Sequence, residues 1–208
     1  MSYHNFSLHQ VCQDFSLEAE MGSDLFGAVN EVEASDFLQT AIKRIGPLGV
    51  SIGTEKARSE FIIAPILAEA QVTSKGGVSL FSGTEFNVAA EKGLKGVCDF
   101  IFSRSRNIYE MTAPVLMVVE AKKEDISAGL GQCAAEMVAA RLFNEQEATG
   151  INTIFGAVTS GSEWRFLKLE EGIIFVDKHL YYLAQLNKLL GILLHILQDD
   201  HAAHAKAA

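Results

Sequence analysis

The stretch "LMVVEAKKED" (116–125) closes an apolar run with Glu120 and Lys122. Side chains two positions apart in a strand share a face about 6.6 Å apart, so these two point together while Ala121 points away. Leu116 and Val118 precede them on that face and Met117 and Val119 line the other, which predicts a strand buried on both sides in the middle of a sheet. A second carboxylate has the same setting. In "GVCDFIF" (96–102) Asp99 shares its face with Val97 and Ile101, while Cys98, Phe100 and Phe102 share the other. Aspartate is a poor strand former and is costly to bury without a partner. If the two strands are neighbours, Asp99, Glu120 and Lys122 converge. Two carboxylates can then share a divalent cation, Mg²⁺ or Mn²⁺, with the Ala121 backbone carbonyl as a third oxygen ligand. Lys122 would orient a water, deprotonate it as the neutral amine, or as the ammonium steady charge developing on a phosphoryl group.

The elements that must position these residues can be read on either side. Thr54 can cap a helix through "TEKARSEFIIAPILAEA", with Pro65 predicting a kink or a restart. A "SKGG" turn follows, then strands within 78–89, 96–103 and 113–123. Residues 124–148 predict a helix of about six turns whose apolar stripe is Ile126, Leu130, Cys133, Ala134, Met137, Val138 and Leu142. Three more strands are expected at 152–160, 163–170 and 172–177, and a last helix from Tyr181 to Leu197. Residues 1–50 carry scattered phenylalanines and leucines among acids, with a helix from Ser35 to about Ile45 that "GPLG" should end. The order predicts an α/β fold: helix, three-strand meander, helix, strand, with additional C-terminal strands and a helix. The expected division is an N-terminal extension (1–50) packing on a core domain (51–200), and a frayed tail (201–208).

Asp99 followed 21 positions later by "EAK" resembles the motif of the PD-(D/E)xK nuclease superfamily, whose restriction-endonuclease-like core has the element order just described. A glutamate on the first core helix, here Glu60 in "ARSEF", and a glutamine on the helix after the catalytic strand, here Gln132 in "GLGQCAAEM", resemble the branch containing the N-terminal nuclease domain of type I restriction-enzyme motor subunits. The stretch from "KARSEFIIAPIL" to "GAVTSGSEWRFLKLE" is also similar to a group of stand-alone bacterial proteins, many cyanobacterial. The resemblance implies a metal-dependent nuclease in which Asp99 and Glu120 hold Mg²⁺ or Mn²⁺. Glu60 would complete the ligand shell, Lys122 would position the attacking hydroxide, and Gln132 would orient Lys122 or a phosphate. Two departures stand: "CD" replaces the "PD" of the motif, and residues 1–50 have no counterpart in the minimal core. Neither a P-loop nor a helicase motor is present, so restriction of the type I kind is beyond this chain alone.

Bland readings stand beside these. Glu120 and Lys122 could be a solvated ion pair, Glu60 could be a first-turn helix acid paired with Lys56 or Arg58, and Gln132, with Glu136 one turn later, could be a polar shoulder of its helix. Lys92, Lys95, Arg104, Arg106 and Lys123 are candidate phosphate contacts, or equally a solvated surface. The formal charge of −9 excludes a general polyanion-binding coat, so a nucleic acid, DNA before RNA, would meet a local patch. Three widely spaced cysteines with no ligand pattern, no membrane span and no leader-like start predict a reduced cytoplasmic protein. A homodimer is the expected assembly. The rival expectation is a catalytically silent nuclease-like fold serving as an interaction or assembly module.

Overall fold

The long apolar runs at Val115–Ala121 and Ile154–Thr159 become the two central strands of one mixed sheet. Every residue of both is buried, as expected for strands covered on two faces. The computed structural model describes residues 2–74, 77–105 and 107–198. In chain order, a 3₁₀ turn is followed by α1 (Leu8–Asp14), β1 (Glu18–Ser23), α2 (Asp36–Ile52) and α3 (Glu55–Arg58). A single π turn (Ser59–Ile63) then leads into α4 (Ala64–Thr73). Strands β2 (Ser79–Glu85), β3 (Val97–Ser103) and β4 (Val115–Ala121) form the meander, and α5 (Leu130–Gln146) crosses over to β5 (Ile154–Thr159). The chain finishes with β6 (Glu163–Glu170), β7 (Ile173–Asp177), the short β8 (Tyr181–Tyr182) and α6 (Leu186–Gln198).

The sheet order is β1-β7-β6-β5-β4-β3-β2, with β8 on β6. Pairings are antiparallel except β4 with β5 and β1 with β7. The fold is therefore mixed α/β. On one face α4 and α6 bury Ile66, Leu67, Leu189 and Leu193 against Phe100, Phe102, Met117 and Val119. On the other, α5 buries Cys133, Met137 and Val138 against Ile101, Val118 and Val158. Among the described residues no helix is long and apolar enough to cross a membrane.

Several boundaries differ from the sequence expectation, each for a physical reason. The helix after Ser35 runs through "GPLG" to Ile52 and ends at Gly53, whose φ of 68° is the left-handed stop that glycine accepts readily. Ser35 caps it as expected, its hydroxyl accepting from the Leu38 N–H. The restart expected at Pro65 is present: the preceding turn widens, the Ala64 N–H reaches back five residues to the Ser59 carbonyl, and α4 begins at Ala64 with Pro65 in its first turn. Residues 181–185 form β8 and a 3₁₀ turn, so the last helix starts at Leu186. Its apolar face is buried in the core, leaving little of it for association.

Residues 2–34 are woven into both layers. Tyr3 and Phe6 pack with α5, and the Tyr3 hydroxyl donates to the Phe86 carbonyl (2.6 Å). Strand β1 forms one edge of the sheet, and the Val32 N–H donates to the Asn187 carbonyl on α6 (3.0 Å). With the N-terminal segment over its outer side, α5 is buried nearly all round rather than along one stripe. Residues 199–208, including the predicted tail, lie outside the described residues.

Candidate active site

Strand β3 delivers Asp99 where its pairing with β4 ends. The ladder matches Phe100 with Val119 and goes no further in that direction. Beyond it the Asp99 Oδ2 accepts the Ala121 N–H at 2.8 Å, a side-chain oxygen replacing the next backbone acceptor. The simple alternation expected for β3 fails at this point. Cys98 and Ile101 pack in the same core, while Phe100 and Phe102 pack in the other. The splay at Asp99 lets it meet Glu120 and lie against the Ala121 backbone together.

Glu120 is 2% exposed and accepts from the Lys122 ammonium at 2.5 Å. The same ammonium donates to Gln132 Oε1 at 3.1 Å, and Gln132 Nε2 donates to Glu136 Oε1 at 3.1 Å. A continuous chain Glu120–Lys122–Gln132–Glu136 thus runs from the end of β4 into α5. Gln132 and Glu136 are four positions apart, on one side of the helix. Lys122 is held from below as well. Its N–H donates to the Thr159 carbonyl (2.8 Å), and its stem passes over Gly129, where a Cβ would lie 3.1 Å from Lys122 Cγ and Cε.

The electrostatics follow from burying so many acids together. Burial raises Asp99 above the usual carboxylate range, against the pull of the Ala121 N–H, Lys122 and Glu120. Burial also raises Glu120, and the charges of Glu136 and Asp99 raise it further. Glu136, wholly enclosed, is raised for the same first reason, although hydrogen bonding to Gln132 opposes it. For Lys122 burial is the largest influence and acts downward, but Glu120, Glu55 and Asp99 together outweigh it, so the ammonium form is favoured. Glu120 Oε2 and Glu136 Oε2 are buried with no N–H donor, and Glu120 instead meets two neighbouring acids, Asp99 and Glu136.

The first core helix brings Glu60 to the same cleft as Asp99, half-exposed, with its carboxylate 2.9 Å from the Lys56 ammonium four residues earlier. Glu55 is the acid whose carboxylate lies in the field of the site. Surrounding protein raises it, Lys122 pulls it down and Asp99 pushes it up, although the residue reaches solvent. Glu55, Ser59, Glu60, Ser82, Gly83 and Asp99 line one cleft. The Arg58 guanidinium fixes this helix by donating to the Ser160 carbonyl (3.0 Å) at the end of β5. In the sequence Glu55 reads only as a first-turn acid behind the Thr54 cap, with no signal that sets it beside Asp99.

Lys92, Lys95 and Lys123 are exposed, the first two just before β3 and the third beside Lys122. Arg104 follows the opposite end of β3, five residues and about 17 Å along the strand from Asp99, too far to serve the same phosphate. Arg106 lies outside the described residues. Asp99 and Glu120 gain no third carboxylate, histidine or cysteine within a common 4.8 Å reach among the described residues. A separate group does meet that limit: Asp24, Asp177 and His179, which could hold a metal ion. The pairing of Ser23 with Asp177 in parallel strands assembles it, so no local sequence signal announces it. Lys178 already pairs with Asp24 at 2.9 Å, and both Asp177 oxygens are engaged, by the His179 N–H and the Tyr181 hydroxyl. Compared with protein families, with characterised proteins and with solved structures, the chain has no match.

Proposed function

We propose that the chain is a metal-dependent phosphodiesterase of the PD-(D/E)xK type acting on nucleic acid, DNA before RNA. The observation that carries the reading is that Lys122 bonds both Glu120 and Gln132 while Asp99 lies on the Ala121 N–H, which joins four separated residues at one sheet end. Asp99 and Glu120 would hold Mg²⁺ or Mn²⁺, with Glu55 and the Ala121 carbonyl beside them. The buried Glu120 Oε2, with no N–H donor and acids beside it, supports that fit, since acids crowded together out of water are costly without a cation. A bound ion would lower the pKa of a coordinated water and offset charge on a phosphate oxygen. Lys122 has three N–H bonds, two committed to Glu120 and Gln132, which leaves one to hold a water or a phosphate oxygen. The free cysteines fit a reducing, cytoplasmic setting.

The test is a plasmid and RNA cleavage assay with and without EDTA, beside calorimetric Mn²⁺ titration. Lys122→Ala should abolish cleavage and leave Mn²⁺ binding intact, because an ammonium cannot ligate a cation. Asp99→Ala should lose both. Wild-type cleavage in EDTA, or equal loss of Mn²⁺ affinity in the two variants, would defeat the assignment. The silent-module reading is favoured by the −9 charge and by Phe37, Leu48 and Ile52 exposed on α2. Metal binding without cleavage of any substrate would select it.

A further inference from the structure

We infer that Glu136 is a positioning residue of this site, one that acts through Gln132 to fix the Lys122 ammonium. A glutamine side chain has an acceptor end and a donor end that are nearly the same shape, so packing alone does not decide which faces a neighbour. Glu136 and Lys122 decide it together, since the ammonium only donates and so calls for the acceptor end. The Glu136 Oε1 takes the Nε2 end of Gln132 at 3.1 Å, and the Oε1 end meets Lys122 at 3.1 Å. Without an acceptor at 136, the amide loses its anchor on the helix and the ammonium loses a fixed partner.

The burial of Glu136 argues against a role in stability. It is 0% exposed in a helix otherwise packed with alanine, cysteine, methionine and valine, and beyond Gln132 it meets another buried acid, Glu120. An acid enclosed against a second acid is a poor way to fill that space, and an apolar side chain of similar volume would do so at less cost. What the carboxylate provides is direction along a chain of hydrogen bonds that ends on Lys122. The inference rests on the proposed function for its catalytic consequence only. The geometry it describes is measurable without any substrate.

The experiment reads the Lys122 ammonium directly. In the full chain, without metal, the ¹⁵N-correlated NH₃⁺ signal of Lys122 is assigned by its disappearance in Lys122→Met, and its proton exchange rate is measured. Glu136→Leu should speed exchange by about tenfold or more, the loss expected when one hydrogen bond of roughly 1.5–3 kcal/mol to a charged group is released. Glu136→Gln keeps an acceptor for Gln132 and should recover most of the protection. Gln132→Met removes the link itself and should match Glu136→Leu, and the double variant should go no further. In the cleavage assay Glu136→Leu should lower kcat by about 10²-fold, the size of effect a small misplacement brings, with Mn²⁺ affinity held within a few-fold. Unchanged Lys122 exchange in Glu136→Leu or in Gln132→Met would overturn the inference, as would a Glu136→Gln protein as loosened as Glu136→Leu. Failure of the wild type to cleave any substrate would instead strike the proposed function and leave the exchange result standing.

Discussion

Gly129→Ala isolates how the floor under Lys122 is built. Gly129 has φ −82° and ψ −12°, a conformation open to any L-residue, so the substitution carries no backbone penalty. Its Cβ, however, would fall 2.5 Å from Val158 Cγ1 and 3.1 Å from Lys122 Cγ and Cε. Carbon atoms rest at about 3.5–4.0 Å, so Val158 must retreat by about 1 Å and the lysine stem by less. Overpacking of this kind costs about 1–3 kcal/mol, and Gly129 stands at the N-cap of α5, where alanine gains nothing over glycine. The loss corresponds to a Tm lower by about 2–12 °C for a domain of this size. Scanning calorimetry at fixed metal concentration measures it, and Gly129→Ser should behave alike. A variant as stable as the wild type or more so would show that the contact between the start of α5, Val158 and Lys122 is looser than described.

The remaining predictions concern charge and association. Burial makes Glu120 and Glu136 bind protons more tightly in the folded chain than in the unfolded one, with the charges of Glu136 and Asp99 adding to the effect at Glu120 and that of Asp99 at Glu136. Stability in EDTA is therefore fully present below the ordinary carboxylate range, at about pH 4, and is lost as pH rises toward their raised values, at up to about 1.4 kcal/mol per unit for each proton released. Urea denaturation between pH 5 and 8 should show this fall, and Glu136→Gln should flatten it; a rise with pH in EDTA would reverse the account. Glu55→Gln should weaken Mn²⁺ binding in calorimetry while Glu60→Gln leaves it unaltered, since Glu60 is held by Lys56; the opposite ranking would restore Glu60 to the site. Light scattering should give a homodimer, and Phe37→Asp with Ile52→Asp, on the exposed side of α2, should make it monomeric; a wild-type monomer at working concentration would remove the assembly proposal.

Asp99, Glu120 and Lys122 could be singled out in the sequence because charged types interrupt apolar runs, Gln132 only through the family resemblance, and the structure brings the four together. Glu136 interrupts an apolar run equally, yet a helix read as one-sided gives a polar residue at that position an exposed address. Only the N-terminal segment, folding over the outer side of α5, removes that address, and nothing local to residues 124–148 foretells it. Strand parity was legible for β4 from Met117 to Ala121 and failed in β3, where Asp99 trades a regular backbone pairing for a side-chain one. Glu55 and Glu60 look alike in a string of letters. The π turn and the Lys56 pair distinguish them, and both depend on where the helix is anchored by Arg58.

The pairing of β1 with β7 joins Glu18 to Ile173 and Ser23 to Asp177. During synthesis, that edge has nothing to dock on until almost the whole chain has emerged. The helix, meander and helix that carry the site contact one another locally and can assemble first, while β1 waits exposed as an unpaired strand. Loop closure over such a span is slow relative to local steps, so the last event in folding should be the capture of β1. A ribosome-stalled chain ending before Ile173 would then hold a formed meander and an open edge, and would be the species most prone to pair with a second copy of itself.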